Sequence, residues 1–476
     1  MLGIFGTLGL ATRSLSAYQR GAEVAGHNLA NLHNPAYARQ RIELQTSPTV
    51  SSHLGPQGTG VEVVVIRQLR DALLDRQIQT ETSVRGWLEA QQQTLQYTQA
   101  ALGQSIDRQA AGIDGSAANG GVGGQHGLAD ALTGLFNAWQ SLSANPTSST
   151  ERQLLVIQAQ NLATQFNQTS ERLTQLNTAS NDRLREDAKS VNALIQDIAQ
   201  LNGRIVTAEL SRNGVANDLR DLRLQRMEDL AGLVQFTAVE LDSGAVDLVI
   251  DGQPLTNSAV VIDQLETYDP GDGQLLLRTR TAGAPVQLTG GAIQGTIDAR
   301  DGALTNLRGD LDLLAATLVA EVNARHAPGY DLNGNTGQPF FTGTDARSLR
   351  VHEVLTADSS RVQAAGAPGA PGDNRTALSL AQLGSTALAA LGNQTFQQHY
   401  GQTVARMGQS LASTNLQIET QTVVEGMLQR QREAVSGVSL DEEMASLILF
   451  QRAFQASARL VSTLDEMLVT VVNLGN

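Results

Sequence analysis

Apolar and small residues near the start of the chain fall at Ile4, Leu8, Ala11, Leu15, Tyr18, Ala22, Ala25, Leu29 and Leu32, in steps alternating four and three. That is the heptad spacing of a helix that needs a partner along one narrow seam. It predicts a helix over 4–34, closed by Pro35, because the residue before a proline is pushed out of helical angles. At the far end Leu440, Glu443, Leu447, Phe450, Phe454, Ser457, Val461, Leu464, Leu468 and Val471 repeat the same steps. The two termini are therefore expected to pair. Small residues on one seam, and the polar Glu443 and Ser457 on the other, leave that pair short of buried area, so further helices are expected to complete it.

Between the termini the period changes several times. Ile42 and Leu44 alternate with Arg41, Glu43 and Gln45, which predicts a strand with one wet face; a Gly-Pro turn at 55–60 leads to an apolar run at 61–66 as its hairpin partner. A helical pattern follows over 70–102, carrying Leu74, Leu88, Leu95 and Leu102 with Glu81 as a polar gap. After a Gly-rich loop at 112–127, Leu128, Leu132, Leu135, Phe136 and Leu142 mark a shorter helix. Ser148 and Glu151 have capping-box spacing, and the apolar face from Leu173 to Ile205 predicts a helix of about 50 residues, roughly 75 Å long. A second helix carrying Leu219, Leu222, Leu230 and Leu233 is expected to fold back after Asn213-Gly214.

From Phe236 onward the pattern alternates. Phe236, Val239 and Leu241, then Val246, Leu248 and Ile250, flank Asp242-Ser243-Gly244 as a hairpin. Apolar runs at 260–262, 275–277 and 286–288 extend this into a small β domain over 235–298. Helix returns from Leu304 to Val322. A short strand at 349–355, an Ala-Gly-Pro linker at 364–372 and a helix carrying Val404, Met407, Leu411, Ile418 and Leu428 complete the middle. Ser439 and Glu442 form a second capping box for the last helix. The fold expected is mainly α with β. Terminal coiled-coil helices (1–40 with 439–476) join a long-helix bundle with a small hairpin (41–234 with 299–438), and a mostly-β domain (235–298) is inserted in it.

Composition narrows the function. The chain has 476 residues, a net charge of −14 and no cysteine. Clustered phosphate-binding cations are not on offer, so nucleic acid is a poor partner, and disulfides and thiolate metal sites are excluded. No apolar run of about 18 residues exists to span a membrane. The first basic residue, Arg13, follows the apolar start, which is the wrong order for a secretory leader.

The chemistry-bearing patterns are incomplete. Asp331, Asn333 and Asn335 imitate an EF-hand loop, but Thr336 stands where its glycine belongs and Thr342 where its glutamate belongs, leaving a tight polar turn as the better reading. Gly120-Gly121-Val122-Gly123-Gly124 lacks the Lys-Ser/Thr of a phosphate loop, and His352-Glu353 lacks a second histidine, because position 356 is Thr. No catalytic, cofactor-binding or metal-binding residue is assigned, and no enzyme is expected.

The motif Asn28-Leu29-Ala30-Asn31-Leu32-His33-Asn34-Pro35-Ala36-Tyr37 resembles the N-terminal signature of bacterial flagellar rod, hook and hook-associated proteins. Its core is Asn28, Asn31, Pro35 and Tyr37; Ala36 stands where glycine is usual. The run from Val438-Ser439-Leu440-Asp441-Glu442-Glu443 through Phe450 and Arg459 to Leu468 is similar to the C-terminus of the hook-associated protein 1 family. Gly290-Gly291 with Arg300-Asp301, and the stretch from Val322 to Asn335, resemble the same family. The resemblance covers nearly the whole chain; 112–127 and 235–298 match least.

It implies a structural subunit at the hook–filament junction that forms a ring with copies of itself and adapts the hook lattice to the filament. The implied partners are the hook protein, the next hook-associated junction protein and, at the C-terminal region, an export chaperone. It further implies secretion to the flagellum without a cleaved leader, no cofactor, and no membrane insertion. The implied subunit-interaction residues are the seam positions Ile4, Leu8, Ala11, Leu15, Tyr18, Ala22, Ala25, Leu29, Leu32, Leu440, Leu447, Phe450, Phe454, Val461, Leu464 and Leu468. A hook or rod protein is the alternative, though those lack long helices at 150–232; a secreted coiled-coil adhesin or enzyme finds no support in any motif.

Overall fold

The computed structural model describes residues 3–52, 55–102, 127–212 and 214–474. Helix α1 (Ile4–Ala30) stops short of the expected Asn34. The Asn31 amide turns back onto the carbonyl of His27 at 3.0 Å, the kind of local side-chain bond that competes with a helix. Asn34 then accepts from the backbone of Ala36 at 3.2 Å, and this turn carries the chain into the strands.

Strand β1 (Gln40–Thr46) pairs antiparallel with β4 (Val61–Gln68), with a bulge at Glu43/Leu44. Between them the expected turn region instead forms a second antiparallel pair, β2 (Val50–Ser52) and β3 (Gly55–Gln57). Gly55 and Gly60, at φ +99° and +118°, provide its reversals. This ribbon lies along α1, tied by Arg13 to Thr59 at 3.1 Å.

Helix α2 (Ala72–Ala101) begins at Asp71, whose carboxylate accepts from the backbone of Leu73 and Leu74. The expected loop at 112–127 lies almost wholly outside the described residues. Helix α3 (Leu128–Ala144) leads to α4 (Ser149–Arg212), whose 64 residues make a rod of about 96 Å, longer than expected. Ser148 accepts from the backbone of Glu151 at 3.2 Å as the capping box requires, while its own N–H is taken by Asn145. Helix α5 (Asn217–Leu233) folds back as expected.

Strands β5 (Thr237–Glu240), β6 (Val246–Ile250) and β7 (Gln253–Pro254) form one sheet, and β8 (Thr256–Asn257) pairs with β9 (Val260–Val261). Strand β10 (Leu265–Tyr268), unforeseen, pairs with β11 (Leu276–Thr279). The run at 286–288 does not become a strand. Pro285 bridges Arg278 and the Val286 N–H still reaches the carbonyl of Leu277 at 3.0 Å, but Leu275, which would pair next with Leu288, gives its N–H to Asn181 and its carbonyl to Arg300, and the ladder ends there. The β layer is accordingly shorter than 235–298, because α6 (Gly291–Ala299) occupies its last part. A π-helical turn at Arg300–Leu304 then feeds α7 (Thr305–His326).

Strand β12 (Phe341–Thr342) pairs with β13 (Arg350–Val351), but the strand expected over 349–355 is cut short by α8 (Glu353–Ala357), capped by the His352 ring. Helix α9 (Arg375–Leu383), also unforeseen, precedes α10 (Phe396–Ser436), which opens on a capping box of Thr395 and Gln398. Helix α11 (Leu440–Leu474) follows.

Two apolar cores are strung along α4. The first gathers α3, the first half of α4, α7, α9 and the start of α10 around Leu135, Trp139, Phe166, Phe340 and Phe396. The second packs the rest of α4 with α5, α6 and the strands around Val191, Ile195, Leu248, Leu265 and Ile293. Arg300, fully buried, fastens the β layer to the rod through Asn181 at 2.6 Å and the carbonyl of Leu275 at 2.9 Å. Arg152, also buried, donates only to carbonyls, those of Pro146, Ser360 and Val362. With no carboxylate bonded to it, burial lowers its pKa to about 10.

Candidate assembly interface

The terminal helices pack against each other antiparallel: Gly21 of α1 lies on the Phe450 ring of α11, and Asn28 bonds to Glu443. A Cβ on Gly21 would lie 2.7 Å from that ring, so only glycine permits this approach. The face of α1 most fully covered holds Ala11, Ala17, Gly21, Val24, Ala25 and Asn28. Ile4, Leu8, Leu15, Tyr18, Ala22, Leu29 and Leu32 are half-buried beside it. Ala17, Gly21 and Val24 were missed because each sits one position before the apolar stripe; their small size was the available signal.

On α11, Leu464 is buried and Leu447, Phe450, Phe454, Val461 and Leu468 are half-buried, whereas Leu440 is 49% exposed and takes little part in the pair. One flank of α11, beside the seam, is apolar and uncovered. Leu449 (65% exposed), Leu460, Met467 and Val471, spaced so as to share that flank, face solvent, as does Phe5 on α1. Side chains of that size on one face of a helix mark a contact still to be made.

Beneath the pair lies a polar joint. Asn28, 1% exposed, has its amide fully engaged: it donates to the carbonyl of Gln40 and to Glu443, both at 2.9 Å, and accepts from Tyr37 at 2.7 Å and the N–H of Gln40 at 2.9 Å. Glu443, 3% exposed, also receives Arg39 at 2.7 Å, and Arg39 reaches Glu442 at 2.5 Å. Glu442 thus offers its carboxylate to the joint. Burial, together with the nearby Asp218, Asp221 and Glu443, pushes the Tyr37 hydroxyl well above its usual pKa, so it stays a donor.

The Arg39 N–H bonds the last carbonyl of α10, on Ser436, at 2.9 Å. Asp221 on α5 collects Arg70 at 2.6 Å, Gln68 at 2.7 Å and the N–H of Ala38 at 3.2 Å. One cluster thereby fixes the exit of α1, the root of the ribbon, and the starts of α2, α5 and α11. Of the motif residues, Asn28 and Tyr37 lie inside it; Asn31 shapes the end of α1, and Pro35 is exposed in the following turn.

The other sequence motifs also find structural roles. Gly290 and Gly291 bring α6 against Ser83 and the carbonyl of Leu233, where a Cβ on Gly291 would lie 2.3 Å away. Asp331 accepts from the backbone of Asn333 and Asn335, each at 2.8 Å, and from the Asn335 amide, forming a polar turn. Among the described residues no group of three or more His, Cys, Asp or Glu could hold a metal ion, and no helix is long and apolar enough to cross a membrane.

Comparison with known proteins places this architecture. The profile of the flagellar hook-associated protein FlgK helical domain matches residues 120–341, and that of the flagellar basal body rod FlgEFG protein C-terminal matches residues 429–474. Flagellar hook-associated protein 1 of Bacillus subtilis is 26% identical over 99% of both chains, and that of Escherichia coli is 21% identical over 98% of both. The structure of the flagellar hook junction protein FlgK from Burkholderia pseudomallei matches with a TM-score of 0.63 at 16% identity, covering 76% of this chain and all of that one. The two profiles and the full-length relatives are all of flagellar axial proteins. Within that class the chain is similar to flagellar hook-associated protein 1 over nearly its whole length.

Proposed function

We propose that this chain is a structural subunit of the bacterial flagellum at the hook–filament junction, adapting the hook lattice to the filament so that the filament can assemble. The uncovered apolar flank of α11 carries the reading, because a pair with so small a seam is completed by neighbouring subunits. The terminal pair (1–40 with 439–476) is the polymerisation unit, and copies of the chain close into a ring through it. The long-helix body (41–234 with 299–438) and the β layer, trimmed to about 235–288, lie outward. Hook protein meets one side of the ring and the next hook-associated protein the other. The subunit is not an enzyme; it leaves the cell without a cleaved leader, its C-terminal region held beforehand by a chaperone.

Gene deletion is expected to leave hooks intact and release unpolymerised flagellin into the medium. Complementation with Leu449→Asp/Met467→Asp should restore secretion of the subunit but not filaments. Normal filaments after deletion would overturn the proposal.

A further inference from the structure

Helix α10 is held in two different ways along its 41 residues. In its first part Phe396, Tyr400, Val404, Met407 and Leu411 are all buried, at 5% exposure or less. From Thr414 onward the fully buried positions are polar: Thr414, Gln421, Glu425 and Ser436. The attachments there are hydrogen bonds and ion pairs. Asn415 accepts from Gln92 at 2.8 Å, Gln421 donates to the carboxylate and carbonyl of Glu81 at 2.6 and 3.0 Å, and Arg432 pairs with Glu228. Glu425 receives Arg85 at 2.7 Å through one oxygen, while its other oxygen is buried with no partner. The large apolar residues of this part point the other way, with Leu416 65% exposed, Val423 61% and Met427 53%. Ile418, Val424 and Leu428 are only half-buried.

A polar seam of this kind fixes register but holds weakly, since each bond replaces one the separated groups would make to water, and a half-satisfied buried carboxylate adds a cost of its own. The other support of the terminal pair is firmer. Asp221, with Arg70, Gln68 and Ala38, ties the root of the ribbon to α5. At the far end of α5 the α5–α2 contact is so close that a Cβ on Gly86 would lie 2.1 Å from the Gly232 carbonyl. A polar cavity of about 590 Å³, bordered by Pro35, Tyr37, Arg432, Ser436 and Gly437, opens where α10 meets the joint. It gives the end of α10 room to shift.

We infer that the second part of α10, residues 412–436, is a compliant arm that releases from α2 as a unit while the first part stays anchored in the core. The terminal pair then tilts about the Asp221 cluster, with α10 as the leg that gives. The use of that tilt, fitting one subunit between two lattices, rests on the proposed junction role; the arm itself does not.

Hydrogen exchange on the full-length free subunit tests the arm without reference to assembly. Amides of 412–432 are expected to exchange at least tenfold faster than those of 397–410 in the same helix. Replacing the half-satisfied pair by apolar side chains, Arg85→Met with Glu425→Leu, should slow the arm at least threefold and leave 397–410 unchanged. Equal protection of both parts in the unaltered chain would overturn the inference whether or not the double variant folds. So would a folded double variant whose arm exchanges as before.

Discussion

Glu443 interrupts the apolar heptads of α11, and in the sequence it reads as a gap that weakens the seam. In the structure it anchors the seam, with its carboxylate shared between Arg39 and Asn28. A single buried polar contact in a two-helix pair favours one register, because any slip strands its members without partners. Replacing Asn28 by alanine takes a partner from the Tyr37 hydroxyl, the Gln40 N–H and Glu443 together. At about 1–3 kcal/mol for each stranded buried group, and less than additive, the terminal pair should loosen enough for α1 amides to exchange tenfold faster or more. Unchanged exchange in α1 would refute that role. Gly21→Ala tests the seam from the other side. Alanine gains up to about 1 kcal/mol of helix propensity over glycine, but its Cβ meets the body of the Phe450 ring rather than a flexible tip. Overpacking of about 1–3 kcal/mol should win. A double-mutant cycle with Phe450→Leu is expected to recover most of the loss; additivity of the two changes would show that the contact is unimportant.

Among the elements, α2 depends most on what its neighbours lack. Gly86 meets the Gly232 carbonyl of α5, and Gly295 of α6 meets the Trp87 carbonyl, each with room for hydrogen only: a Cβ on either glycine would lie 2.1 Å from that oxygen. Because backbone cannot swing aside as a side chain does, Gly86→Ala should destabilise the second core by more than about 2 kcal/mol despite its better helix propensity. Gly401→Ala, on an open face of α10, should be neutral or stabilising by up to about 1 kcal/mol. Comparing the two melting curves checks the prediction, and similar shifts would defeat it. These crossings also show where sequence reading stopped. Helix period and turn chemistry made α1, α2, α4, α5, α7 and α11 legible, because each carries its apolar stripe in its own residues. What α9, α6 and α8 do depends on partners distant in the chain, so their short patterns carried no decisive period. For the same reason the alternating run at 286–288 reads as a strand in sequence, although Leu275, which would pair with Leu288, is taken by Asn181 and Arg300. The joint was half visible: Asn28 and Tyr37 stood out as a motif, but their partner lies 415 residues from Asn28 and looked like a defect.

At the scale of the whole molecule, the two ends should respond to acid in opposite senses. His326 is sealed in the first core between Trp139 and Phe340, with one ring nitrogen on the carbonyl of Gln338 at 2.8 Å and the other accepting from the Gln363 N–H at 2.9 Å. Burial, with help from Arg152, lowers its pKa from 6.5 to about 4. Above pH 6.5 neither state holds the extra proton and the histidine costs nothing. Between 6.5 and 4 the unfolded chain takes the proton and the folded core refuses it, so stability falls with pH by up to about 3 kcal/mol and levels off below 4. Near the joint and along α10, burial raises Asp75, Asp221, Glu228 and Glu425 above their ordinary values. Protonating these carboxylates as pH falls favours the folded state. The first core should therefore lose stability at mildly acid pH while the joint keeps its own. Trp139 reports on that core directly, and Trp87→Phe removes the only other tryptophan. Denaturant titrations followed by Trp139 fluorescence should give a midpoint that drops from pH 7.5 to pH 5, and His326→Gln should flatten that slope even if it lowers the midpoint throughout. A slope unchanged by His326→Gln would mean that another group governs the acid response of this core.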